Sequence, residues 1–309
     1  RFKGDADYVV TEAVRVSDEY LEKGYTVTLR QLYYQMVAQD LFPDSWIDVS
    51  YNKENDLPVD TKNTMKNYKR FGALVSDARM AGLIDWDAVE DRLRATVSNT
   101  HWRTHEEILR AAIDSWRMDK WQNQNKRIEV FCEKDAVAGI LEPVCRMHDV
   151  PFTACRGYAS ASLFYRKGQE FRDSVLRGKP VGILYFGDHD PSGLDMDRDV
   201  LDRIREFSRL EKYSDLIFLV RLGLTMEQIE EMEPPPNPAK STDSRYKGYR
   251  EKFGDESWEL DALSPEDLES ILESALLEIR DEDAWDKAVE RENKMRVALA
   301  KRVGLSLEG

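Results

Sequence analysis

The stretch VGILYFGDHDPSGLD, residues 181–195, decides how the chain is read. Val181 to Phe186 form an apolar run short enough for a buried strand and too short for most helices. Asp188 and Asp190 then arrive where a parallel strand would end, which is where open α/β sheets carry their sites. Carboxylates this close repel unless something positive sits between them. Taken alone, the stretch is equally a polar turn in which Asp190 or Ser192 caps the next helix.

The flanking sequence extends the pattern. RIEVFCEKDAVAGIL (127–141), VPFTACRGYASASLFYRKGQEF (150–171) and LIFLVRLGL (216–224) alternate strand-like with helix-like segments. That order predicts an α/β fold with a parallel sheet covered by helices on both faces. The polar WQNQNK (121–126) marks a boundary between residues 1–122 and 123–309. Downstream, EPPPNPAKSTDSRYKGYREKF (233–253) reads as a long irregular connection, and Ser264-Pro265-Glu266-Asp267 as a well-formed helix start. A helix is also expected near Trp258, in WELDAL, and two charged helices close the chain.

The N-terminal part has a different rhythm. Residues 7–23 predict an amphipathic helix ended near Gly24. In TLRQLYYQMVAQ (28–39), Thr28 and Gln31 have capping-box spacing. Leu29, Leu32, Tyr33 and Met36 share one face, whereas Arg30 and Tyr34 lie one turn apart, off the centre of that stripe. Tyr33 therefore reads as core and Tyr34 as presented sideways beside a guanidinium. YNKENDLPVDTKN (51–63) reads as a loop leading to a helix with Tyr68, Phe71, Leu74, Val75 and Ala78 on one side and a stop at Gly82. Thr104 and Glu107 open a further helix expected to run to about Asp119. Helix, turn, helix, then a basic helix is the outline of a winged-helix DNA reader, and equally of a plain three-helix module.

Composition narrows the classes. A hydrophobic fraction of 41% with seven tryptophans argues for a packed fold rather than disorder. No apolar run approaches the roughly 18 residues of a membrane helix, and RFKGDADYVV lacks a signal-peptide core. The chain opens on Arg1, as a trimmed one would. Cys132, Cys145 and Cys155 are odd in number and suit a reducing interior; Cys145, His148 and Cys155 match no regular zinc spacing. The net charge of −14 argues against a protein that coats nucleic acid nonspecifically. Residues 61–80 run the other way: Lys62, Lys66, Lys69, Arg70 and Arg79 against Asp77 leave +4. Such a stretch is either a local DNA contact or a solvated helix face.

Pairing two strand ends brings the chemistry into view. Glu133 ends one apolar run, and Asp188 and Asp190 end another. Adjacent strands would bring three hard oxygen ligands to one sheet edge, a set suited to Mg²⁺. The glutamate followed by Asp-X-Asp resembles the Toprim domain of topoisomerases, primases and some nucleases. EKDAV with DHDPSG is closer to the type IIB branch: the topoisomerase VI A subunit, the meiotic double-strand-break transesterase and the standalone Mini-A proteins. TLRQLYY is similar to the N-terminal motif of that branch, so the resemblance spans both parts of the chain in the expected order.

The resemblance implies a winged-helix domain over 1–122 and a Toprim domain with a C-terminal helical extension over 123–309. It implies Tyr34 as nucleophile, Arg30 as its phosphate-binding neighbour, and Mg²⁺ on Glu133, Asp188 and Asp190. The product would be a 5′-phosphotyrosyl DNA link, reversible because one phosphoester replaces another. A homodimer is implied, with Tyr34 of one subunit meeting the carboxylates of the other. Double-stranded DNA would lie in a basic groove that includes Lys66, Lys69, Arg70 and Arg79. The chain carries no glycine-rich phosphate loop, so directed strand passage would either require a separate ATPase subunit or not occur, leaving relaxation by cleavage and religation alone. A cytoplasmic, nucleoid-associated protein of prokaryotic or viral origin is the corresponding expectation. Departing from the pattern, Ala159 to Ser162 stand where many relatives have an acid and an arginine. His189 alternates away from its flanking aspartates, as a neighbour or DNA contact, and Lys134 is a phosphate contact or a surface lysine. Two other readings stay open: a Toprim nuclease using metal-activated water, with Tyr34 merely packing, and a DNA-binding module with an inactive metal site.

Overall fold

The computed structural model describes residues 2–52, 57–89, 99–155 and 160–305. Its first part is helical: α1 (Asp5–Glu22), α2 (Leu29–Ala38), a two-stranded antiparallel ribbon of β1 (Asp48–Asn52) and β2 (Leu57–Thr61), and α3 (Met65–Met80). Thr28 and Gln31 form the reciprocal capping box that their spacing predicted. The expected loop at 51–63 is instead largely ribbon, although residues 53–56 lie outside those described. Pro58 is compatible with that ribbon, because two strands alone have outward edges on which a missing N–H costs nothing. Next, α4 (His105–Asp114) starts at the predicted Thr104 cap but ends before Asp119.

The second part is built on four parallel strands, β3 (Arg127–Cys132), β4 (Phe152–Ala154), β5 (Val181–Phe186) and β6 (Ile217–Gly223), in the spatial order β4-β3-β5-β6. Between them run α5 (Ala138–Met147), α6 (Ala161–Leu176) and α7 (Gly193–Ser208). This is the α/β, Rossmann-like sheet that the alternating pattern predicted. All six β5 residues are buried, because the sheet is covered on both sides. Val181, Ile183 and Tyr185 pack with α6 and α7, whereas Leu184 and Phe186 join a cluster with Leu141, Leu268 and Leu272. A period of two thus feeds two separate layers.

After β6 come α8 (Met226–Met232), β7 (Asn237–Pro238), α9 (Tyr246–Phe253), β8 (Glu256–Ser257), a 3₁₀ turn at Leu260–Ala262, α10 (Pro265–Ile279) and α11 (Glu282–Arg302). The 233–253 connection is therefore not wholly irregular: Tyr246 and Tyr249 bury one face of α9. The helix expected near Trp258 does not form there. Trp258 instead makes an antiparallel bridge to His189, and α10 begins at Pro265 behind the Ser264 cap.

Among the described residues, the hydrophobic clusters do not cross between the two parts. One draws only on residues from Phe2 to Val89, and the other two on residues from Trp121 to Trp285. α4 packs on α11, and Lys120 is tied to Glu292 at 3.0 Å, so residues 105–120 associate with the C-terminal end. Among the described residues no helix is long and apolar enough to cross a membrane.

Candidate active site

Two glycines let the acidic loop after β5 close tightly. A Cβ at Gly187 would lie 2.7 Å from the Tyr185 ring and 3.0 Å from Glu133 Oε2. A Cβ at Gly193 would sit 2.2 Å from the Asp188 carbonyl oxygen. Only glycine allows α7 to begin directly against that carbonyl. Gly193→Ala is expected to cost about 1–3 kcal/mol through overpacking, read as a lower denaturant midpoint at unchanged m-value.

Glu133 and Asp188 meet because β3 and β5 are adjacent and in register, Cys132 opposite Phe186. The Asp188 N–H donates to Glu133 Oε2 at 3.2 Å, and Asp188 Oδ1 accepts from the Leu260 N–H at 2.8 Å. Asp190 Oδ1 accepts from the N–H of Gly193, the first residue of α7, at 2.6 Å, whereas Ser192, at the N-cap position, makes no side-chain cap bond. Beneath the loop, Arg221 on β6 donates to the carbonyls of Gly187, Asp188 and Leu224 and pairs with Asp197 at 2.8 Å. Burial, and then the neighbouring Asp188 charge, pushes Glu133 up to about 7. Burial likewise raises Asp188 to about 6 despite the adjacent Lys134.

His189 turns away from these acids, as alternation predicted, and is buried rather than offered to DNA. Its Nδ1 lies 2.9 Å from the Tyr249 hydroxyl and its ring meets Phe253 edge-on at 4.8 Å. Burial, with Arg221 adding to it, lowers its pKa to about 4. A depressed histidine contributes stability above its unfolded value, about 6.5, that is lost as pH falls through the folded value. His189→Gln is expected to flatten the loss of stability between pH 6.5 and 4 relative to the parent, measured by chemical denaturation across that range.

On α2, Tyr33 is core: its hydroxyl lies 3.1 Å from the carbonyls of Lys62 and Thr64 and accepts from the Thr64 N–H. Tyr34 is also buried, at 3% exposure, although its position off the apolar stripe predicted a side-on presentation. Its second face is covered by the C-terminal part of the chain. The Tyr34 hydroxyl accepts from Asn237 Nδ2 at 3.1 Å and lies in a cavity of about 110 Å³ lined by Arg30, Asn63, Thr64, Asn237 and Glu259, among others. Burial, followed by the charge of Glu259, pushes Tyr34 up to about 12, while Asn237 and Arg30 pull the other way.

A chain of ion pairs joins the two groups of residues. Arg30 pairs with Glu259 and, at 3.4 Å, with Asp261. Lys134 contacts Glu259 at 2.8 Å, Asp261 at 2.9 Å and Asp188 at 2.9 Å. Burial opposes charge on both cations, but the surrounding carboxylates outweigh it and hold them protonated. Tyr34 and Arg30 are thus linked to the Asp188 edge within one chain, through Glu259 and Lys134. Neither Glu259 nor Asp261 stands out in the sequence, where WELDAL reads as structural. A signal was present: two acids sit two residues apart, flanked by the apolar residues Trp258 and Leu260 that the fold buries, at the start of a 3₁₀ turn.

Among the described residues, no three His, Cys, Asp or Glu side chains already converge as a metal cage. Glu133, Asp188 and Asp190 are nevertheless hard oxygen donors of the kind that Mg²⁺ takes. Two crowded carboxyls are raised toward neutrality, and Asp190 Oδ2 lies no nearer than 4.0 Å to its ion-pair partner Lys240. Hard oxygens strained in this way are relieved by a divalent cation. Of the four cations expected to meet DNA, Lys66 reaches Asp48 at 3.0 Å, while Arg70 and Arg79 stack on Trp46 and Trp86 at 4.1 and 4.4 Å. Lys69 is on the same helix, α3, and is exposed.

Comparison of the chain with family models, curated proteins and solved structures yields no match.

Proposed function

We propose that this chain is a Mg²⁺-dependent DNA transesterase of the topoisomerase VI A-subunit type, with an N-terminal winged-helix unit and a Toprim unit. The observation that carries the reading is the linkage of Tyr34 and Arg30 to the carboxylate edge through Glu259 and Lys134. Two motifs distant in sequence enter one ion-pair network within the chain, and in the homodimer Tyr34 of one subunit would act at the carboxylates of the other.

In this reading the Tyr34 oxygen attacks a backbone phosphorus, its proton passing to water, and the bond to the 3′ oxygen breaks as that oxygen takes up a proton from solvent. Arg30 binds the phosphate oxygens and offsets the charge that develops on them. Glu133, Asp188 and Asp190 would hold Mg²⁺, which supplies positive charge beside the phosphate and the leaving oxygen. Lys66, Lys69, Arg70 and Arg79 form the DNA-facing surface, two chains act as a homodimer, and a separate ATPase subunit drives any directed strand passage.

One observation favours the hydrolytic alternative: a tyrosine with 3% exposure serves packing as well as chemistry. Incubation with labelled supercoiled DNA and Mg²⁺, followed by a denaturing stop, separates the readings. Transesterification leaves protein-linked DNA that depends on Tyr34; hydrolysis leaves free 5′-phosphate ends and no link.

A further inference from the structure

We infer that Glu259 and Asp261 act as built-in phosphate mimics that occupy Arg30 and Lys134 and hold Tyr34 in a closed, resting position until DNA displaces them. The inference rests on the transesterase reading for the role of Arg30, and concerns the regulation of that same site.

Three observations carry it. First, Arg30, the side chain that would grip a phosphate, is already engaged by the carboxylates of Glu259 and Asp261. Asp261 is wholly buried and lies against Lys134 as well, so one pair of acids serves both cations. A carboxylate presents to a guanidinium the same anionic oxygens that a phosphate would.

Second, Tyr34 is 3% exposed and lines a recess of about 110 Å³ rather than standing on the surface. Asn237 bonds to it on one side while accepting from Asn63 at 2.9 Å on the other, closing a polar clasp over the phenol. Burial and the charge of Glu259 also keep this phenol protonated. A nucleophile held neutral and covered is at rest.

Third, the contact that imposes this position is built to separate. The bonds across it are polar: Arg30 with Glu259 and Asp261, Asn63 with Asn237 and the Pro236 carbonyl, Lys23 with Glu266 at 2.8 Å, and Tyr25 with Glu269. Among the described residues no hydrophobic cluster spans it, and a further cavity of about 280 Å³ lies along it between Tyr25 and Val144. Surfaces joined by ion pairs without a shared core part at modest cost, and the freed charges find water or phosphate.

Glu259→Gln tests the inference on the free protein, before any DNA chemistry. Tyr34 nitration by tetranitromethane is read by mass spectrometry that resolves it from Tyr33. DNA affinity is measured in a Tyr34→Phe background, where no link can form. The variant is expected to nitrate faster at Tyr34 and to bind DNA roughly five- to tenfold more tightly, a usual size for such coupling. Glu206→Gln, at an exposed acid on α7, removes the same charge elsewhere and should change neither. Asn237→Ala opens the clasp without touching the ion pairs, and should raise Tyr34 nitration alone.

Unchanged nitration in both Glu259→Gln and Asn237→Ala, with circular dichroism as in the parent, overturns the inference. So does an affinity gain no larger than that of Glu206→Gln. If Tyr34 is released as expected but no protein–DNA link ever forms, the closed position stands and the transesterase reading falls.

Discussion

The Tyr34→Phe protein is expected to leave supercoiled DNA free of covalently attached protein after a denaturing stop, a loss on the order of 10³-fold or more. Phenylalanine keeps the ring and its packing and removes only the oxygen. The hydrogen bond from Asn237 that is lost with it costs about 1 kcal/mol, so folding survives the change. A failure of cleavage would therefore be chemical rather than structural. Cleavage at the parent rate would exclude Tyr34 as nucleophile and turn attention to water activated at the carboxylate edge. Arg30→Lys provides a graded companion, because an ammonium keeps the charge but loses the planar fork that spans two phosphate oxygens.

Neutralising the paired acids should have an effect of similar size on metal response. Mg²⁺ at 100 times its dissociation constant would stabilise the parent by about 2.7 kcal/mol, seen as a higher Tm. The double variant Glu133→Gln/Asp188→Asn is expected to show no such rise. The amide oxygen introduced at position 188 would still accept from the Leu260 N–H, and Lys134 would keep Glu259 and Asp261, so the loop should stay closed. The sign of the pH dependence without Mg²⁺ also follows. Glu133 and Asp188 are raised to about 7 and about 6 in the fold, chiefly by burial. Groups raised on folding contribute stability at low pH that is lost as pH rises through the folded values. Between about pH 4 and 7 these two acids contribute a loss of stability with rising pH, opposite in sign to the His189 contribution, so the double variant should gain stability relative to the parent as pH rises, as calorimetry at fixed ionic strength can show. Equal Mg²⁺ responses in the two proteins would remove these acids from the metal site.

Local patterning alone determined much of this protein. The unbroken apolar run Val181–Phe186, set among alternating strand-like and helix-like segments, specified a strand buried on both faces of a parallel sheet, because only covered strands can carry apolar residues on both sides. The Thr28, Thr104 and Ser264 caps were legible because capping depends on residues three apart. Glu133, Asp188 and Asp190 could be assigned to one edge because parallel strands end together.

What tertiary structure decided lies where distant segments meet. Tyr34 is buried because residues 237–261 cover a helix face that periodicity alone leaves open. Lys134 is no surface lysine, because three acids from two other segments surround it. Glu259 and Asp261 matter through which cations they meet, and no spacing within WELDAL encodes a partner more than a hundred residues away. Period and capping are short-range physics, carried by neighbouring residues. Ion pairing and burial of single polar groups depend on the whole fold, and only the folded chain brings their partners within reach.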